Sequence, residues 1–307
     1  MNFFQTKSEE DLKNIKRLWG EIFGSEHPMV AKKKLMKWFY KSSSNSLSSG
    51  FAYSKNNDSS LNAFIGFRTI KWFDSEEVWL CGLGASISSP GAGLFLLRNF
   101  IQIFSDKSLC VVGFIPELGK VYKSLGFEIK TGYRNLANIK HSNQCDSKFN
   151  ICSSEEFFSY YSNDISKDFF NSYHNLLKNH IVWKYFVFET DSIAFFVRKE
   201  TDQLCRVVMA YDLSHNNFEN LTDELVDKLY LIIGKYFKCK YIDFICNIKF
   251  NIGSSVLNIM SLDESSFPGY FSPEAPYKTL NFAIKENNNN KRNIYFKADG
   301  DQERSNG

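Results

Sequence analysis

The sequence predicts a mixed α/β protein (α+β in its mixed sheets) in which one order of helices and strands is laid down twice. Three observations predict it. Between Val78 and Phe114 an apolar strand runs into a glycine turn, then an amphipathic helix, then a second apolar strand. A similar order of helices and strands recurs after residue 152. The stretch 142–152 between the two runs is polar and turn-rich and reads as a linker. The expectation is therefore two tandem units, 1–141 and 153–307, each a mixed sheet flanked by helices.

In the first unit, Ser8 starts a helix whose first turn carries Glu9, Glu10 and Asp11, favourable at the positive end of the helix dipole. Leu12, Ile15, Leu18, Trp19, Ile22 and Phe23 then form one apolar stripe, and Gly24 stops it. Pro28 opens a second helix carrying Leu35, Trp38 and Phe39. Phe51–Ser54 and Ala63–Trp72 read as strands joined through the polar turn Asn56–Ser60. The central strand–turn–helix–strand unit follows. A helix around Val121–Ser124 and a strand from Phe127 towards Lys140 close the first unit.

In the second, Ser153–Tyr161 and Lys167–Leu177 read as helices, and Trp183–Glu189, Ile193–Lys199 and Leu204–Leu213 as strands. Leu221–Phe237 has the apolar stripe Leu225, Leu229, Ile232, Ile233, Tyr236 and Phe237 of a core-facing helix. Tyr241–Cys246 reads as a strand, Ser254–Met260 as a short helix, and Tyr277–Ile284 and Ile294–Phe296 as the last strands. Asn287–Asn290 reads as an exposed loop.

Composition narrows the function. At 307 residues, with 43% hydrophobic and 16% aromatic residues, the chain can fill two cores. A net charge of +3, with no basic run beyond Lys32-Lys33-Lys34, argues against a nucleic-acid partner. Seven cysteines, an odd number with no C-x-x-C pair, predict reduced buried thiols in the cytoplasm and no zinc site. Neither a signal peptide nor an apolar run of membrane-spanning length is expected.

The chemistry concentrates in residues 82–127. Gly91-Ala92-Gly93 opens a helix directly after a strand. First-turn N–H groups have no intrahelical acceptor, the helix dipole favours an anion there, and glycines let that anion approach the backbone. The other reading is a tight turn that merely starts a helix. Gly82 and Gly84, inside the strand, mark either a bulge and close approach of another backbone or packing against a helix.

The run Ser88-Ser89-Pro90-Gly91-Ala92-Gly93, followed by a strand and by Tyr122-Lys123-Ser124-Leu125-Gly126-Phe127, resembles the acyl-CoA site of the GNAT acyltransferases. Family members commonly carry Gln/Arg-x-x-Gly-x-Gly/Ala at this turn; here Ser88 holds the leading position. The resemblance implies that the N–H groups of Gly91, Ala92, Gly93 and Leu94 hold the CoA diphosphate. It implies that Leu83, Gly84 and Ala85 take the pantetheine arm as an added strand. It gives Tyr122 the task of protonating the leaving thiolate, against the plainer reading of a core aromatic. His27, beside Glu26 in a loop that flanks the acceptor in the family, is a candidate base; the carboxylate and an ordered water are the alternatives.

Across nearly the whole chain the order resembles tandem-GNAT enzymes that acylate nucleotide-linked amino sugars for bacterial surface polysaccharides. That implies acetyl- or 3-hydroxybutanoyl-CoA as donor, a dTDP- or UDP-linked amino sugar as acceptor, no metal, and a monomer or homodimer. Asp299, Asp301, Gln302 and Arg304 in the terminal run would contact the acceptor, or else form a solvated tail. The second unit has no Gly-x-Gly turn, so one CoA site is expected, in the first. Two rivals remain: transfer to a peptide or aminoacyl acceptor, and a non-catalytic acyl-CoA-binding module.

Overall fold

A computed structural model of the chain describes residues 2–5, 8–25, 28–31, 33–40, 49–54, 61–72, 75–112, 114, 116–139, 149–162, 166–177, 184–251, 256–258, 280–286 and 294–296. The first half runs β1 (Asn2–Gln5), α1 (Glu9–Phe23), α2 (Pro28–Ala31), α3 (Lys33–Tyr40), β2 (Ser49–Ser54), β3 (Ala63–Trp72), β4 (Ser75–Ala85), α4 (Ala92–Ile103), β5 (Ser108–Val112), α5 (Pro116–Ser124) and β6 (Glu128–Ile139). The second runs β7 (Asn150–Ser153), α6 (Ser154–Tyr160), α7 (Lys167–Leu177), β8 (Tyr185–Glu189), β9 (Ile193–Lys199), β10 (Leu204–Asp212), α8 (Asp223–Phe237), β11 (Tyr241–Cys246), β12 (Val256–Asn258) and β13 (Leu280–Lys285).

The helix starts follow the capping signals. Ser8 accepts from the Asp11 N–H while Asp11 reaches back to the Ser8 N–H, and Ser153 and Glu156 repeat that box at α6. The described strands form one mixed sheet, β1-β2-β3-β4-β5-β13-β6-β11-β10-β9-β8-β7, with β12 beside β6 off this path. Only β4–β5 and β10–β11 are parallel pairs among the described strands, and each is spanned by a helix, α4 or α8.

Strand β6 joins the halves. Its residues Glu128–Gly132 pair with β13, and Tyr133–Asn138 pair with β11. Strand β13 returns from the far end of the chain to lie between β5 and β6, opposite Leu109–Val112. Each parallel pair is thus extended by a strand from the other half of the sequence. Helix α7 adds a further link: the buried Arg68 of β3 donates to the Ser172 carbonyl at 2.9 Å and lies over the Tyr173 ring.

Three apolar clusters result. One holds α4 and α5 against β3, β4 and β5 through Leu96, Leu97, Phe100, Tyr122, Val78, Leu80 and Val111. A second packs α1 and α3 on Phe64 and Cys81. The largest surrounds β8–β11 and reaches Trp79, Phe282 and Tyr295. Across β6 and β8–β11 runs a buried ionic ladder. Arg134 and Arg206 both bind Asp243, Arg206 and Arg198 both bind Glu200, and Arg198 donates to the Tyr185 hydroxyl.

Four elements depart from the sequence reading. Asn2–Gln5 is a strand against β2 where none was expected. Asn150–Ser153, at the end of the stretch read as linker, is a strand on β8. Val256–Asn258, read as helical, pairs with Ala137–Ile139; a helical nucleus fixes several residues for one hydrogen bond, whereas the edge of β6 offers partners at once. Ile294–Phe296 contributes a single bridge, Cys246 to Phe296, rather than a strand. Among the described residues no helix is long and apolar enough to cross a membrane, and no group of three His, Cys, Asp or Glu side chains is placed to hold a metal ion.

Candidate functional site

The site grows out of one divergence. Strands β4 and β5 run parallel from Glu77–Ser108 to Leu80–Val111, and there their pairing stops. Strand β4 continues to Ala85, held on its other side by Ala63–Gly66 of β3. Cys81 is the extra residue of a β-bulge at this point, because Leu80 pairs with Phe67 and Gly82 with Gly66. A bulge bends its strand and adds twist. Among the described residues the backbone of Gly82–Ala85 has no strand partner on the side that faces away from β3, so an extended ligand could add there as a strand. Leu83, Gly84 and Ala85 lie on that segment.

The turn after β4 is pinned by side chains from elsewhere in the chain. Asn62 donates its side-chain amide to Ser89 Oγ at 2.5 Å, and the Ser86 N–H donates to the Asn62 carbonyl. Ser86 Oγ donates to Glu21 of α1 at 2.5 Å, takes the Ser88 N–H, and lies 2.9 Å from Ser88 Oγ. Gly91 is the N-cap of α4 with φ +83°, a left-handed conformation that costs other L-residues about 1–2 kcal/mol. A Cβ on Gly93 would stand 3.2 Å from Ala85 Cβ, so this glycine lets α4 close onto the end of β4. The Ala92 N–H already donates to the Ser89 carbonyl, whereas those of Gly93 and Leu94 have no acceptor among the described residues. A pinned turn with two open N–H groups at a twelve-residue helix fits an anionic group.

Tyr122 projects from α5 into the same cluster. It is buried between Phe114, just past the end of β5, and Phe127, at ring distances of 4.9 and 5.3 Å. Burial pushes its phenol up to about 12. Its hydroxyl has no hydrogen-bond partner among the described residues. His27, Asp299, Asp301, Gln302 and Arg304 lie outside the described residues, so the structure bears on none of them.

The second half repeats the divergence and then fills it. Pairing of β10 with β11 ends at Val207–Phe244, β10 continues to Asp212, and Val208 is the bulged residue opposite β9. The following loop is drawn onto Asp212, whose carboxylate accepts the Ser214 and Phe218 N–H groups at 3.0 and 2.8 Å. Helix α8 begins with Thr222 as cap and Asp223 and Glu224 in its first turn, carboxylates that repel an anion. Phe296 stacks on Phe244, Phe250 stacks on Phe244, and Phe218 meets Phe296 edge-on. The edge of β11 on the side away from β6 is thus covered by Phe296, which bridges Cys246, with the rings of Phe218 and Phe244 packed against its own.

Sequence reasoning missed Glu21, Asn62, Ser86 and Ser89. Ser86 and Ser89 were visible as polar residues between strand and glycine turn. Glu21 and Asn62 reach the turn only through the fold, from 65 and 27 residues away.

No family model and no curated protein matches the sequence. Solved structures do share its fold. A GCN5-related N-acetyltransferase from Anabaena variabilis ATCC 29413 superposes with a TM-score of 0.57 at 11% identity, covering 92% of this chain and 72% of that one. The chain has the GNAT fold. A GCN5-related N-acetyltransferase from Kribbella flavida gives a TM-score of 0.54 at 10% identity, over 92% of this chain and 70% of that one. A conserved Enterococcus faecalis V583 protein described as a probable N-acyltransferase gives 0.51 at 10% identity, and there the chain spans only 65% of the other's length. At this identity the likeness is one of GNAT architecture, and activity has to be argued from the site.

Proposed function

We propose that the chain is an acyl-CoA-dependent N-acyltransferase with one donor site, between β4 and β5. The parting of these two strands at Leu80–Val111, in a GNAT fold, is the observation that carries this reading. The open edge of Gly82–Ala85 suits the pantetheine amides, and the N–H groups of Gly93 and Leu94 suit the diphosphate. Acyl-CoA supplies the thioester, whose carbonyl carbon is attacked by the acceptor amine as its C–S bond breaks. Tyr122 holds its proton throughout the neutral range and gives it to the departing sulfur, while the amine's proton goes to a base or to water.

For the acceptor, the resemblance of element order to nucleotide-sugar N-acyltransferases supports a dTDP- or UDP-linked amino sugar, with acetyl or 3-hydroxybutanoyl as the group moved. Asp299, Asp301, Gln302 and Arg304 are proposed to meet it. The deciding experiment is thiol release from a panel of acyl-CoAs with amino-sugar nucleotides and with peptide amines. Turnover with a sugar nucleotide supports the full reading. Turnover with peptide amines alone would move the acceptor class, and CoA binding without turnover on any amine would leave a binding module.

A further inference from the structure

The turn that receives the donor's phosphates carries no basic residue from Ser86 to Leu94, yet it carries a carboxylate. Glu21 reaches it from the last turn of α1 and takes the Ser86 hydroxyl proton at 2.5 Å. Ser86 Oγ in turn takes the Ser88 N–H at 3.3 Å and lies 2.9 Å from the Ser88 hydroxyl. The polar groups at the entrance of the turn thus point towards Glu21 and one another, and one hydroxyl separates a negative charge from the loop. Arg98, the first cation along α4, is a full turn beyond Leu94 and exposed to solvent.

We propose that Glu21 is a charge gate on donor binding: the carboxylate and the donor's diphosphate compete for the Ser86–Ser88 hydroxyls, so occupancy by the donor displaces Glu21. This inference rests on the donor site described above. The gate holds the affinity for a highly charged donor below what the two open N–H groups alone would provide. It also ties the end of α1 to the loop only while the site is empty of phosphate. Glu21 acts through charge and through Ser86, so it is a specificity and positioning residue and takes no part in the transfer itself.

The test compares CoA with pantetheine, which has the same arm and no diphosphate, by calorimetry on the full chain and on Glu21→Gln. The glutamine keeps an oxygen to accept from Ser86 and removes the charge. Glu21 is solvent-exposed, and equal thermal melting of the two proteins confirms that the substitution leaves the fold intact. Glu21→Gln is expected to tighten CoA about threefold to tenfold at low salt, the scale of one exposed charge against a multiply charged ligand. The gain shrinks as salt rises, and pantetheine binds both proteins alike. Unchanged or weaker CoA binding by Glu21→Gln overturns the gate and leaves the donor site standing. An equal gain for pantetheine also overturns it, since the effect would not be on phosphate. If CoA binds neither protein, the donor site itself falls, and the gate with it.

Discussion

Two buried side chains show opposite responses to the same dry surroundings. Tyr122 has no counter-charge, so burial alone raises its phenol to about 12. It remains a proton donor well above neutral pH, so a rate loss on the alkaline side below about pH 10 cannot come from its titration. Tyr122→Phe is expected to lower kcat by about 100-fold or more with CoA affinity nearly unchanged, read by steady-state kinetics beside calorimetry. An unaltered kcat would make Tyr122 a core aromatic, the plainer of its two sequence readings. Asp243 is also fully buried, and burial pushes its carboxyl up, but Arg134 and Arg206 outweigh that and hold it below the usual carboxylate range. Its contribution to stability is therefore present above the unfolded value of about 3.9 and is lost as pH falls through the lower folded value. Asp243→Asn leaves two buried guanidiniums short of a partner, and denaturant titration at pH 7 should show a loss of about 3–5 kcal/mol. The pair was not legible in the sequence, since Arg134 and Asp243 are 109 residues apart and meet only because β6 lies beside β11.

At the scale of elements, the strand–turn–helix unit was the most legible part of the chain. Its information is local: an apolar strand, a left-handed glycine and an amphipathic helix each follow from neighbours within a few residues. Gly93 tests whether the contact of α4 with β4 matters. Gly93→Ala places a methyl 3.2 Å from Ala85 Cβ, a crowding of about 1 kcal/mol that shifts the helix start away from the strand end. Weaker CoA binding with a retained circular-dichroism spectrum is the expected outcome. The misread elements are those whose partners are remote. Val256–Asn258 and Asn2–Gln5 are short strands that exist because β6 and β2 present edges to them, and no short window of sequence contains that fact. The two halves also share a bulge at Cys81 and at Val208 without sharing residues, because a bulge needs a backbone geometry and a continuing neighbour strand more than a particular side chain.

For the whole molecule, the exchange of β6 and β13 makes the halves interdependent. A fragment of residues 1–141 lacks β13 and would expose the edges of β5 and of the β6 start. It is expected to aggregate or to show no cooperative melt, and co-expression with 142–307 should restore one. Phe296→Ala removes a fully buried ring from the stack that fills the second opening, a loss of about 3–5 kcal/mol by denaturant titration, while CoA stoichiometry stays at one. By itself the sequence determined the mixed α/β class, the repeated order of elements and the place of the glycine turn that opens α4, because periodicity, capping and glycine chemistry act over a few residues. Only the tertiary structure decided which strands complete which half, that the second opening is closed by Phe296, and that Glu21 stands at the glycine turn. Those are contacts between residues far apart in the chain, made when burying apolar surface brings whole elements together.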